Sequence, residues 1–285
     1  NEGIIKVGRT HLQDAVPLLF SQEIGGWRSM IEKSLAAVEN SLSELSVLAI
    51  GGTAVGTGLN APQGFGERVA YYLSQMTGIE FTSSDNYFRS LTSLSDIVTA
   101  HGAMCALAAD LMKIANDIRL YSSGPRAGLC EIFIPENEPG SSIMPGKVNP
   151  TQCEMVTMVA SRVLGNDTTI SFAATQGNFQ LNVFLPVTAY SFLQSASLLS
   201  GAILSFEEKC VRGITANTKK MRENLDRSLM LVTALNGKIG YDKAAMVAKM
   251  AYKEDITLAQ AAENLGFLSE NEAKEALSPE RMIRK

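Results

Sequence analysis

The chain has 285 residues, a formal net charge of −4 and a hydrophobic fraction of 46%. That suffices for a sizeable core in one large or two moderate domains, and gives no electrostatic case for a nucleic-acid partner. No run of about 18 uncharged apolar residues is present, so no transmembrane helix is expected. The four cysteines lack CxxC or metal-ligand spacing, and only two histidines are available; the expected state is free thiols in a reducing, cytoplasmic setting, with neither metal nor cofactor.

In chain order, the first strong pattern follows Pro17. Leu18, Ile24, Trp27, Ile31, Leu35, Val38, Leu42 and Leu45 recur mostly at three- or four-residue steps, predicting a long amphipathic helix that Gly51-Gly52 and Pro62 end. A shorter helix is expected from Gly66 to Met76, closed by Gly78. A second long helix runs from about Ser90 to Leu120, with His101 on its apolar face as a core or interface residue rather than a catalyst. Residues 121–149 read as loop, and a loop of that length in a compact protein is usually functional or disordered. Helices resume at roughly 150–174 and 186–210. Strand alternation is scarce. The composition shifts near residue 213, and Thr257-x-x-Gln260 and Ser269-x-x-Glu272 are capping-box patterns. The expected organisation is all-α: a long-helix bundle over 1–217 and a small helical domain over 218–285.

The loop Gly140-Ser141-Ser142-Ile143-Met144-Pro145-Gly146-Lys147-Val148-Asn149-Pro150 is the most informative stretch. It offers hydroxyls, backbone N–H groups and one cation to an anionic ligand, and leads into a helix. Asn149 suits a cap, Pro150 a first helical position, and Thr151 with Glu154 a capping box in a neighbouring register. On spacing alone, an ordinary loop capping an ordinary helix is the favoured reading, because Gly/Ser loops are common.

Residues 140–154 resemble the signature loop of the fumarase/aspartase superfamily, and most closely its class II fumarate hydratase branch. Gly8-Arg9-Thr10-His11-Leu12-Gln13-Asp14-Ala15 is similar to a second motif of that branch; Gly52–Asn60 and Gln176–Val183 agree in order. The resemblance implies a homotetramer whose central helices share a core, no cofactor, and reversible hydration of the dicarboxylate fumarate to malate. It assigns Ser141 as the base, with Ser142 as an alternative that sequence does not separate. Lys147 and Asn149 would bind a substrate carboxylate, with Thr10 as a neighbour. His11 would be the acid toward the leaving hydroxyl, paired with Glu154 across subunits. The resemblance also places the boundary near 218 and implies that an N-terminal domain with further substrate contacts precedes Asn1.

Departures and rivals are specific. Leu185 stands where the branch commonly has lysine, at an anion-binding edge. Aspartate ammonia-lyase shares the fold, but tends to have Gln at the position of His11 and Ala at that of Gly146. Argininosuccinate and adenylosuccinate lyases match the loop less well. A catalytically inactive structural module of the same fold is a third reading.

Overall fold

The computed structural model describes residues 3–140 and 143–283. It is helical, with eleven α-helices among the described residues and three two-stranded sheets. The bundle expected from the periodicity is present. The chain forms two compact units: residues 1–27, 121–133 and 215–285 make the first, and 28–120 with 134–214 the second.

The first unit opens with a hairpin that the sequence pattern did not suggest. Strands β1 (Ile5–Thr10) and β2 (Gln13–Leu19) pair antiparallel, with a register shift between Val7 and Arg9. Gly8 sits at that shift; a Cβ there would lie 2.7 Å from the Val16 carbonyl oxygen, so only glycine fits. Alternation was hidden because Lys6, a charged residue, is fully buried beside Val7. Strands β5 (Ile132–Phe133) and β6 (Thr215–Ala216) also pair antiparallel.

The C-terminal helices of this unit are short: α7 (Thr218–Arg227), α8 (Asn236–Ile239), α9 (Tyr241–Glu254), α10 (Leu258–Asn264) and α11 (Glu270–Ala276). A 3-10 segment over Leu229–Leu235 joins α7 to α8. Their core includes Leu225, Leu235, Val247, Ala261, Ala262 and Ala273, together with Val7 from the hairpin. Both expected capping boxes form, at Thr257/Gln260 and Ser269/Glu272. Packing thus groups the hairpin with the C-terminal helices.

The second unit carries most of α1 (Phe20–Leu45), then α2 (Phe65–Thr77), α3 (Tyr87–Thr92), α4 (Ser95–Tyr121), α5 (Thr151–Ala174) and α6 (Leu185–Lys209). The short strands β3 (Val47–Leu48) and β4 (Thr82–Ser83) pair in parallel. Gly78 closes α2 in the left-handed conformation, as expected. The single helix expected from Ser90 is instead two, because Ser93 is extended and ends α3. Along α1, the buried positions Trp27, Ser34 and Ser41 are seven apart, while Leu35 and Leu42 are exposed; Ser34 Oγ donates to Asp110 Oδ2 at 2.6 Å.

By length and composition, two helices would meet the requirement for crossing a membrane: Ser95–Tyr121 and Leu185–Gly213, with mean hydropathy 1.4 and 1.3. The sequence expectation of no such helix is corrected to that extent. In this unit, however, these helices bury hydrogen-bonded polar side chains, His101 on α4 and Ser195 on α6, as packed bundle helices do.

Candidate active site

In the first unit, the Gly8–Ala15 motif is the tip of the hairpin. Thr10 pairs with Gln13, leaving His11 and Leu12 as a two-residue turn. Both have positive φ, 55° and 60°. Such a turn normally takes Asn or Gly, because a side chain in the left-handed region is strained. Here it carries an imidazole, with Thr10 and His11 exposed to solvent. Strained backbone of this kind persists only where the surroundings fix it, and it concentrates at functional sites.

Next to the turn, in the same unit, Arg9 enters a largely buried ionic cluster. Arg9 donates twice to Glu131, at 3.0 and 2.6 Å, in a bidentate pair. Glu131 also accepts from Asn224 Nδ2 on α7 at 2.9 Å and faces Lys6 Nζ at 3.5 Å. Lys6 Nζ donates to Tyr121 OH at 3.1 Å and pairs with Glu23 at 3.2 Å; Tyr121 in turn donates to Glu23. Burial works against the Glu131 charge, but the hydrogen bond from Arg9, the charge of Lys6 and the Asn224 amide outweigh it and hold the carboxyl below its usual range. Burial likewise works against the Arg9 charge, and Glu131 more than compensates. Burial, then the hydrogen bond to Glu23, pushes Tyr121 up and keeps it a neutral phenol. Sequence reasoning did not find this cluster; the one available signal was Arg9, inside the motif.

In the second unit, the signature loop turns at Gly140 and Gly146, with φ of 78° and 77°. A Cβ on Gly140 would lie 2.6 Å from the Lys147 carbonyl oxygen, so the two ends of the loop close on each other through a glycine. Ser141 and Ser142 lie outside the described residues. Lys147 is exposed and Asn149 half-buried. The helix start differs from expectation: Pro150 occupies the N-cap position of α5, with no side-chain cap, so neither the Asn149 cap nor the Thr151/Glu154 box forms. Glu154 remains in the first turn, where the helix dipole favours an anion, and lies 4.0 Å from Arg119 of α4. Thus Thr10 and His11 share one turn in the first unit, and Lys147, Asn149 and Glu154 share one loop-to-helix junction in the second.

Two further motifs act as scaffolding in this unit. The Gly52–Asn60 stretch folds on itself, Gly56 N–H and Gly58 N–H both donating to the Gly52 carbonyl. Asn182 is fully buried, donating to the Ala173 carbonyl and accepting from Phe184 N–H, and so pins the turn before α6. Leu185, the first residue of that helix, is exposed. Deeper in the bundle, His101 is fully buried, with Nδ1 2.8 Å from Asp167 Oδ1 and Nε2 2.8 Å from Ser195 Oγ. It is the core histidine the sequence indicated. Cys153 and Cys210, both buried, place their sulfurs 4.0 Å apart; all four cysteines are free thiols.

Comparison with known proteins agrees with the fold. Residues 1–165 match the family described as Lyase, and residues 231–284 match the fumarase C C-terminus. A class II fumarate hydratase of Bacillus anthracis is 59% identical over 282 residues, covering 99% of this chain and 61% of the relative; that of Bacillus subtilis (strain 168) is 57% identical over 281, with the same coverage. The chain therefore spans about three-fifths of the length of these relatives. The crystal structure of class II fumarase from Schistosoma mansoni superposes with TM-score 0.95 at 40% identity, covering 98% of this chain and 61% of that one. A cobalt-bound fumarate lyase:delta crystallin from Brucella melitensis gives 0.91 at 41% identity, covering 98% and 60%. The long-helix architecture and a family match over more than half of the sequence lead to one assignment: the chain belongs to the lyase family, in the branch that holds the class II fumarate hydratases.

Proposed function

We propose that this chain supplies the central and C-terminal parts of an enzyme that reversibly hydrates fumarate to L-malate. The observation that carries the reading is its 59% identity to a class II fumarate hydratase across nearly its whole length, with the histidine turn and the lysine loop both in place. His11, not Gln, and Gly146, not Ala, favour this over aspartate ammonia-lyase.

In the dehydration direction, Ser141 as alkoxide takes the proton from the carbon beside one carboxylate. The electron pair passes into that carboxylate as a dianionic aci-form, which Lys147, the Asn149 amide and loop N–H groups stabilise. The C–O bond then breaks, His11 donates its proton to the departing hydroxide, and water leaves as the double bond forms. Histidine suits that step because its ordinary pKa is about 6.5. Ser142 is the alternative base. Glu154 orients His11, the two meeting between copies of the chain, and Thr10 lies beside a substrate carboxylate. In sequence terms the chain divides into a 1–217 bundle domain and a 218–285 helical domain, the hairpin of the former packing in one compact unit with the latter, and it works in the cytoplasm.

A homotetramer supports that pairing. Met158, Phe172, Tyr190, Leu193 and Leu204 on α5 and α6 are each more than three-fifths exposed, as an uncovered helix face would be. Burying each such side chain stabilises by roughly 1.5–3 kcal/mol. Light scattering should find four copies per particle; a stable monomer at micromolar concentration contradicts it.

The decisive assay follows loss of fumarate absorbance in an enzyme of the relatives' full length carrying this sequence. Ser141→Ala should remove most turnover with KM little changed, because the base acts in the transition state, whereas Lys147→Ala should also weaken binding. Near-normal turnover of Ser141→Ala would move the base to Ser142 or His11. The 285-residue chain alone is expected to fold with little turnover.

A further inference from the structure

We propose that His101, Cys105 and Asp167 form a binding site for a divalent cation of the zinc class, with solvent completing its coordination. His101 and Cys105 are four residues apart on α4, so both project from one face, and Asp167 joins them from α5. Their ligand atoms all lie within 4.8 Å of one another. His101 Nδ1 is 3.7 Å from Cys105 Sγ and 2.8 Å from Asp167 Oδ1. Tetrahedral zinc, with bonds of about 2.0–2.3 Å, separates its ligand atoms by roughly 3.3–3.6 Å. The sulfur–nitrogen edge is thus nearly at its bound length, and the nitrogen–oxygen edge needs to open by about half an ångström.

The donor set selects the ion. One nitrogen, one sulfur and one carboxylate oxygen suit zinc or cobalt, whereas magnesium and calcium take oxygen ligands. Thiolate and carboxylate together balance a dication. The imidazole is already oriented for the task, because Nε2 contacts Ser195 Oγ, which also accepts from Asn166 Nδ2 at 3.0 Å. Ser195 and Asn166 are both buried, and metal-ligating histidines commonly have their second nitrogen held in this way. With an ion on Nδ1, the imidazole keeps its one proton on Nε2, donated to Ser195; the Cys105 thiol proton leaves to solvent. His101 closes the inner side, while Asp167, one-third exposed, and Cys105, half-buried, leave a path for entry. With no ion, burial and then the Asp167 charge push the Cys105 thiol up to about 12. Two histidines and no CxxC concealed this group in the sequence; only the packing of α4 on α5 assembles it.

The test titrates cobalt(II) into the chelator-treated full chain. A saturable site, one ion per chain, should give thiolate-to-cobalt charge transfer and the intense visible bands of four-coordination, both bleached by zinc. Cys105→Ser should abolish the charge transfer and weaken binding tenfold or more, with circular dichroism unchanged. Ser195→Ala should keep the charge transfer and weaken binding about tenfold. Cys130→Ser, in the other unit, should change neither. Zinc should also slow alkylation of Cys105 by iodoacetamide. Charge transfer that survives Cys105→Ser, or only weak six-coordinate spectra, overturns the proposal and leaves the group a structural hydrogen-bonded chain.

Discussion

The two units each bury a polar cluster, and they solve the problem differently. Under the hairpin, Lys6, Arg9, Glu131 and Glu23 are charged, and the fully buried Glu131 is held by two cations and one amide. In the bundle, Asp167, His101, Ser195 and Asn166 form a chain of single hydrogen bonds around a fully buried imidazole. One buried and one partly buried cation share a carboxylate next to a turn whose backbone is itself strained at His11 and Leu12. The bundle chain bears on helices that need only be kept in register. Paired buried charge is concentrated beside a turn of unfavourable backbone, and a chain of single hydrogen bonds suffices where helices already pack.

The largest expected effect breaks the first cluster. Glu131→Gln leaves the buried Lys6 and the partly buried Arg9 without their shared anion, and losing one partner of a buried ion pair costs about 3–5 kcal/mol. Urea denaturation of the first unit should show that loss; a change below about 1 kcal/mol would mean water reaches the cluster. Acid should act on the same group. Glu131 has a depressed pKa in the folded state, so its contribution is present above the ordinary carboxylate value, about 4.3, and is lost as pH falls through the folded value. Wild type should therefore lose stability below about pH 4 more steeply than Glu131→Gln, which has no proton to bind there.

How much of this was legible in the sequence follows from the same contrast. The helices of the bundle showed because their apolar positions repeat at 3.6-residue spacing, and Gly78 and the two capping boxes marked ends by local chemistry alone. The hairpin did not show, because its inward positions include Lys6, which reads as surface until Glu131, 125 residues away, is brought to it. The break between α3 and α4 was missed because Ser93 has no strong breaking tendency of its own. At the candidate site, the motif residues were legible by resemblance, but the cap expected of Asn149 was not borne out, since Pro150 takes that position itself. Leu35 and Leu42 fit the helical stripe yet lie exposed: periodicity finds an apolar face but not what covers it.

A smaller loss is expected from the bundle chain. Ser195→Ala deprives buried His101 Nε2 and Asn166 Nδ2 of one partner, and an unsatisfied buried polar group costs about 1–3 kcal/mol. The asymmetry with Glu131→Gln is the point to measure, in urea and at one pH. Equal losses from the two variants would show that the buried pairing of charge around Glu131 is not what distinguishes the clusters.

The smallest effect should come from polar contacts that are exposed. Thr257 caps α10 by accepting from Gln260 N–H at 3.2 Å, while the Gln260 side chain accepts from Thr257 N–H at 3.0 Å. The helix has only seven residues and is held mainly by its buried Leu258, Ala259, Ala261 and Ala262. Thr257→Ala removes one acceptor from an end that water also reaches, so the loss should be about 1 kcal/mol, as for other caps. Thr257→Ser keeps the hydroxyl and should restore nearly all of it. Thermal unfolding of the three forms separates cap from packing: if Thr257→Ser were as unstable as Thr257→Ala, the threonine methyl rather than its hydroxyl would be holding the turn. If Thr257→Ala matched Glu131→Gln, burial would no longer explain why the hairpin cluster outweighs the rest.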